Sequence, residues 1–487
     1  MHAWFGLIGL NPVRRIASVC REHARLLPGF TCLFLWSWVM LQDSFFYTGA
    51  RGAWFGDGSP WTLATIVFAV AFAVVGAMSH WLDYSLLDPR VLLGTLICLI
   101  AAGALIWLAC GRLVPDDSRM GLMLVGSLIV GVATPLYYME MVRQFLPMRL
   151  AHIIVVCSVC TVLVSALYAL LMLVAGPAVV AAIVMLPVGI FATLWPSRRE
   201  SSPRPRQQRA QLYIPWKLNV TAFAQGMGYE AGFALCAQLN SSIPGAVHSL
   251  TYVAGYAFAA VVLAASATLL HRRFDTLIYK IGFPVLALGT LLVPVASASG
   301  VSCFLAAWGY RFIDILMWSL VIYLAVSKKV TVNWMTGWST CFFYLGMAAG
   351  QAFTLGMLAL CGPASGQLAM GLASCIVLIV GLYVTDTSND ERAWGTLRPD
   401  GGNPRPFYSE AVNAVALRYG LTARQIDVLA LLGKGGTKRE IAEELGISHE
   451  TVKVHVRNVY AALDVHSQEA LCAVLAAQEQ ALDQQAG

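Results

Sequence analysis

Five charged side chains stand in stretches that are otherwise almost wholly apolar: Asp43, Glu140, Glu230, Arg311 and Asp314. A charge in such a setting must face a polar cavity or a partner, because an apolar medium strongly disfavours it. Glu230 and Arg311 lie deep in their stretches, where they can meet as an ion pair or orient a small polar ligand; Asp43 and Glu140 lie near the ends of theirs. Glu230 sits within Gly226-x-Gly228-x-x-x-Gly232, glycines that allow close helix approach, and Tyr229, Trp308, Tyr310 and Trp318 are aromatics able to stack on a ligand. A second set lies near the C-terminus: Lys438, Ser448, Thr451, Lys453, Val454, Arg457 and Asn458. Arg457 or Lys453 can donate to guanine O6 and N7, Val454 can touch a thymine methyl, and Ser448 with Thr451 can meet phosphate oxygens. Both sets offer binding chemistry. The sequence shows no phosphate-cradling glycine loop, no metal-ligand cluster and no nucleophile beside a base, so neither an enzyme, a cofactor nor a metal ion is expected.

The second set needs short helices to present it. Helical periodicity returns at Ser409, and Gly433-Lys434-Gly435-Gly436 ends one helix. Lys438–Leu445 forms the next, Gly446 supplies a left-handed turn, and Ser448 caps a helix from His449 to Leu463. On that last helix Val452, Val456, Val459 and Leu463 share one inward face, whereas Lys453, Val454, Arg457 and Asn458 point away from it. A short helix, a glycine turn and a capped second helix make a helix-turn-helix.

Leu421–Leu475 resembles the LuxR-type helix-turn-helix domain. The resemblance rests on Leu421-Thr422-Ala423-Arg424 with Val428-Leu429, then Ile441-Ala442, Leu445, Ile447-Ser448, Thr451-Val452-Lys453 and His455, and finally Leu463 with Val465. It implies a four-helix domain that binds double-stranded DNA, typically as a homodimer through the last helix, here about Ser467–Gln478 presenting Leu471 and Val474. Gln425 and Asp427 stand where that family usually has glutamates, and Ala462 and Gln468 where Lys and Arg are frequent.

The first set needs a membrane. Hydrophobic residues make up 58% of 487 positions and charged ones 12%, with mean hydropathy +0.68, a surface that only a lipid bilayer can solvate. Twelve spans can be read: Phe30–Tyr47, Pro60–Ser79, Val91–Cys110, Met120–Tyr138, Ala151–Ala175 and Pro177–Trp195, then Leu218–Leu239, Ser249–Leu270, Leu277–Ala296, Val301–Val326, Trp334–Leu360 and Gln367–Val384. With both termini cytoplasmic, inside segments carry 18 Lys and Arg and outside loops only three, Arg51, Arg112 and Arg119. The expected location is therefore a bacterial inner (cytoplasmic) membrane, crossed many times. Trp4–Leu10 is too short for a signal peptide and is followed by four arginines. The twelve cysteines lie mostly in apolar runs as small hydrophobes, Cys157-x-x-Cys160 included.

Two sets of six spans joined by the basic stretch 196–217 resemble the major facilitator superfamily layout, in which spans 1, 4, 7 and 10 line a central cavity. All five charges fall on those spans. The superfamily's Gly-x-x-x-Asp-Arg pattern is absent after the second span, where His80-Trp81-Leu82-Asp83 and Asp88-Pro89-Arg90 stand instead. The expected fold is all-α: a polytopic transmembrane bundle over 1–385, a linker over 386–408 rich in Asp, Gly, Pro and Asn, and a four-helix helix-turn-helix domain over 409–487. Residues 1–385 hold 22 Lys and Arg against 12 Asp and Glu, and 386–487 hold 10 against 14. An acidic DNA-binding domain has weak nonspecific affinity, so pairing or clustering is expected to govern its occupancy. Three readings stay open: a one-component regulator that senses an unidentified small molecule in the membrane cavity, a transporter with an appended DNA-binding domain, and a membrane part that is merely an anchor, against which the charges in the spans argue.

Overall fold

A computed structural model describes residues 12–41, 59–81, 88–110, 114–146, 148, 150–174, 177–197, 216–239, 245–269, 272–273, 277–292, 300–327, 330–361, 372, 396–397, 412, 415–416, 418–433, 436–445 and 447–485. The chain divides into two compact units, Met1–Pro399 and Asp400–Gly487.

The first unit opens with α1 (Pro12–Glu22), α2 (Leu27–Leu41), α3 (Ser59–Trp81), α4 (Pro89–Cys110), α5 (Asp116–Arg143) and α6 (Leu150–Val174). Then follow α7 (Pro177–Val184), α8 (Leu186–Ser197), α9 (Trp216–Leu239), α10 (Gly245–Leu269), α11 (Phe283–Leu292), α12 (Val301–Ser327) and α13 (Val332–Cys361). Among the described residues five helices are long and apolar enough to cross a membrane by length and composition, and four shorter ones are apolar too. α6 shows why lipid must surround them. Leu163, Leu167 and Leu170 recur at helical spacing on its outer face and are exposed, while Ile153, Val156, Cys157, Cys160 and Val164 are buried.

The sixth span is two helices, α7 and α8, rather than one. Pro187 has no N–H to give the carbonyl four residues back, and the chain turns at Met185, whose N–H still reaches Ala181. The ninth span begins as a π-turn, Ile278–Gly282, closed by the Phe283 N–H on the Ile278 carbonyl; Pro284 follows at once. The twelfth span, Gln367–Val384, lies outside the described residues apart from Leu372.

The two halves of the first unit meet along α3–α13 and α6–α10, the helices that carry the expected second and eleventh and the expected fifth and eighth spans. Glycines allow the close approaches. A Cβ on Gly226 of α9 would strike the Phe343 backbone of α13, and one on Gly346 of α13 would strike Phe223 of α9. The linker is not wholly free of structure: Thr396–Leu397 pairs antiparallel with Arg272–Arg273, a two-residue ladder within the first unit.

The second unit contains α14 (Ala423–Gly433), α15 (Lys438–Leu445), α16 (His449–Leu463) and α17 (Gln468–Gln485) around its own core of Val428, Leu429, Ile441, Val452, Val456, Val459, Leu463 and Leu471. Each start is capped. The Thr422 N–H and hydroxyl both donate to the Gln425 side-chain oxygen, and Thr437 with Glu440 forms a reciprocal capping box at 2.8 and 3.3 Å.

Candidate functional site

α16 is positioned by its apolar face. Val452, Val456, Val459 and Leu463 are buried, as their spacing requires, and Thr451, Lys453, Val454, Arg457 and Asn458 are exposed on the opposite side. Ser448 adopts extended backbone and its Oγ accepts the Thr451 N–H at 3.1 Å, while the two hydroxyls share a bond of 2.8 Å. Lys438 is exposed at the start of α15. Gly446 lies outside the described residues.

Three features were hidden from sequence reading. The Lys453 ammonium donates to Glu450 Oε1 at 2.8 Å, so one cation of the exposed face is already partnered. That hydrogen bond, with the lysine's charge, holds the Glu450 carboxyl below the ordinary carboxylate range. Gln468, where a basic residue would serve a phosphate, instead donates to the Leu432 and Gly436 carbonyls at 2.8 and 3.2 Å and ties the start of α17 to the turn after α14. Asp427 pairs with Arg424 at 3.2 Å, and Arg424 also donates to the Leu445 carbonyl that ends α15.

The last helix corrects the expected dimer face. Leu471 is fully buried in its own domain's core and is not presented; Val474 is half-buried against that core. The reason is register, since the Leu471 side chain lies over the same core that Val459 and Leu463 fill. α17 runs on to Gln485, with Glu469, Ala473, Ala476 and Ala477 exposed.

In the first unit a cavity of about 100 Å³ opens among α2, α5, α6, α9, α10, α12 and α13. Arg311 and Asp314, one turn apart on α12, stand on its wall and pair directly through Arg311 Nη1 and Asp314 Oδ2. Arg311 also donates to Thr161 Oγ1 from Nε at 3.0 Å and Nη2 at 2.7 Å, which fixes the guanidinium plane between α12 and α6. Its cationic carbon lies 4.6 Å from the Phe34 ring centroid and 5.9 Å from that of Tyr256. Trp38, Tyr138, Tyr310, Trp318 and Tyr344 supply further aromatic wall, and Ser339 and Thr340 supply hydroxyls. The buried Thr336 hydroxyl on the same wall has no hydrogen-bond partner among the described residues.

Of the five charges read from sequence, then, the structure brings Arg311 and Asp314 to the cavity. Glu230 is buried on α9 but neither lines the cavity nor pairs with Arg311: the guanidinium is taken by Asp314, one helical turn away. Glu140 is wholly buried inside α5, two turns longer than the apolar window, and is not on the cavity wall. Asp43 lies outside the described residues. Tyr310 and Trp318 line the cavity, whereas Tyr229 stacks behind Tyr310 at 4.2 Å and Trp308 packs on Phe258 and Phe304. Thr161 was missed, although its hydroxyl in an apolar span was the available signal.

Comparison with known proteins bears on the fold of each unit. Residues 420–475 match the GerE family, described as bacterial regulatory proteins of the luxR family. The transcriptional regulatory protein LiaR of Bacillus subtilis is 45% identical over 69 residues, 14% of this chain and 28% of LiaR. The chain thus spans little more than a quarter of that relative's length. Among solved structures, the human organic anion transporter MFSD10 aligns over 77% of this chain and all of its own, with 13% identity and a TM-score of 0.50. The major facilitator superfamily transporter FucP in its outward conformation aligns over 75% of this chain and 99% of its own, at 11% identity and a TM-score of 0.46. Residues 420–475 are thus a LuxR-type helix-turn-helix domain, and the helical unit that precedes it shares its fold with the organic anion transporter MFSD10, a likeness of fold alone at this identity.

Proposed function

We propose that the chain is a membrane-bound, DNA-binding transcription regulator, a one-component sensor in which a small molecule in the membrane cavity controls gene expression. The observation that carries this reading is the cavity around Arg311, Asp314 and Thr161 in the same chain as a LuxR-type domain. An aromatic wall with one guanidinium, one carboxylate and several hydroxyls suits a small polar ligand bearing a ring. Ligand that binds one arrangement of the two span sets better than another shifts their balance. In this reading both termini face the cytoplasm of a bacterial inner membrane, and the shift alters how two DNA-binding domains pair on duplex DNA. Arg457 and Lys453 read bases, Val454 and Asn458 add contacts, and Lys438, Ser448 and Thr451 meet the backbone.

The test is a reporter gene under a promoter this protein controls. Arg311→Gln alone leaves Asp314 as an uncompensated buried charge, a loss of about 3–5 kcal/mol. The informative variant is therefore Arg311→Gln with Asp314→Asn, which removes both charges together. It is expected to reach normal membrane levels and to lose the inducer response; an unaltered response would remove the cavity from the sensing role. The fold favours one other reading, a transporter with an appended DNA-binding domain, for which accumulation of ligand against a gradient is the signature.

A further inference from the structure

Sequence reading expects no metal ligands, yet the fold gathers three of them where α1 meets α6. His23 follows directly on α1, whose last residue is Glu22, and His152 lies in the first turn of α6, 129 residues further on. His23 Nε2 stands 3.1 Å from His152 Nδ1. The Glu22 carboxylate approaches both, with Oε1 3.6 Å from His23 Nε2 and Oε2 3.7 Å from His152 Nδ1. We propose that Glu22, His23 and His152 form a binding site for a divalent transition-metal ion, Zn2+ foremost.

Geometry is the first argument. A tetrahedral zinc ion with bonds of about 2.0–2.2 Å holds its ligand atoms roughly 3.3–3.6 Å apart. His23 Nε2 and His152 Nδ1 lie 3.1 Å apart, and the carboxylate faces the first through Oε1 and the second through Oε2. One ligand atom from each residue falls within 4.8 Å of the others, a spread that a turn of the Glu22 carboxylate closes onto one ion. The imidazoles meet edge to face, with planes 66° apart, so the rings present nitrogens to each other instead of stacking. The donor set is the second argument. Two imidazoles and a carboxylate are ligands for zinc and its first-row neighbours, whereas Mg2+ and Ca2+ take oxygen. The third is access. Both histidine side chains are largely buried at 15% exposure, but the Glu22 side chain is 60% exposed, leaving one coordination position open to water and to ion exchange.

The site has a mechanical consequence. α1 also packs against α6 and α10, and a bound ion adds a clip between α1 and the start of α6. The same α6 carries Thr161, nine residues beyond His152, which holds the Arg311 guanidinium. Metal occupancy thus acts on the helix that forms one wall of the cavity.

The experiment uses the full chain in nanodiscs, stripped with chelator. It is titrated with Co2+, whose visible bands report four-coordinate binding, and then back-titrated with Zn2+. The expected result is one Co2+ per chain with those bands, displaced by Zn2+ and not by excess Mg2+. His152→Gln is expected to weaken binding about 100-fold or more, since losing even a residue that only hydrogen-bonds to a metal ligand costs about 10–100-fold. Glu22→Gln, at an exposed position that folding tolerates, is expected to weaken it about tenfold or more and serves if the histidine variant fails to fold. Absence of the cobalt bands in the parent protein would reduce the cluster to a histidine–histidine hydrogen bond and overturn the proposal. Equal affinity in parent and Glu22→Gln chains would place the ion at other ligands and overturn it too.

Discussion

Replacing Glu450 by Gln tests whether the recognition face is held back by its own acid. Glu450 is highly exposed and lies 2.8 Å from Lys453 Nζ, so the pair cancels one cation on each α16. Its carboxyl titrates below the ordinary range because the lysine donates to it and faces it with opposite charge. A carboxyl whose folded value is depressed contributes above its unfolded value, and that contribution is lost as pH falls through the folded value. The pair therefore stands intact throughout the neutral range, and mutation rather than pH must open it. In Glu450→Gln, Lys453 is released, and on a nonspecific duplex, which presents no cognate base edge for it to read, it meets a phosphate. One added phosphate contact steepens the dependence of log K on log salt by about 0.9, and two domains on one duplex steepen it by about 1.8. Lowering salt from about 200 to about 50 mM should then raise the affinity of the variant about twelvefold more than that of the parent, for two bound domains. The assay is fluorescence anisotropy of a nonspecific duplex with the full chain in nanodiscs of zwitterionic lipid. Parallel salt plots for parent and variant would refute the reasoning. So would a double variant, Glu450→Gln with Lys453→Gln, that kept the steeper slope.

Two further predictions concern the folding of the C-terminal domain. Leu471→Ala is expected to destabilise it by about 2–5 kcal/mol, read in thermal melts at several concentrations, because Leu471 fills the domain's core; loss of dimer alone at unchanged monomer stability would contradict that placement. Asp464 ends α16 with φ 53° and ψ 48°, the left-handed region that suits glycine, so Asp464→Gly is expected to raise stability by up to about 1 kcal/mol and the β-branched Asp464→Val to lower it by about 1–2 kcal/mol in denaturant titrations.

What the sequence made legible follows the strength of its local signals. α15 and α16 fall on the residues that turn glycines, the Ser448 cap and a period of 3.6 pick out, because each signal is set by neighbours along the chain. The breaks in the sixth and ninth spans were missed, although Pro187 and Pro284 announce them; an apolar window averages over a proline without registering its missing donor. The cavity was half legible. A charge in an apolar helix is conspicuous, so Arg311 and Asp314 could be found, but their pairing with each other and not with Glu230 depends on which face of α9 turns inward. Thr161 and His152 were invisible as site residues because each acquires its role from a residue at least 129 positions away.

The burial of Leu471 changes what can hold two DNA-binding domains together. With that leucine inside, the outer face of α17 among the residues whose side chains are described offers alanine methyls, Ala473, Ala476 and Ala477, beside Glu469 and part of Val474. At roughly 0.8 kcal/mol for each buried methyl-sized group, such a face contributes only a few kcal/mol across two copies. Association from free solution costs about 4–15 kcal/mol in lost motion, so on the proposed reading the described part of this face is too small to pair the domains strongly when untethered. On the same reading, confinement of both chains to one bilayer supplies the missing effective concentration. On the proposed reading, this weakness is what lets the membrane unit govern transcription. A domain that dimerised tightly by itself would occupy its sites whatever the cavity held, whereas one near its pairing threshold responds to small changes in how the membrane units meet.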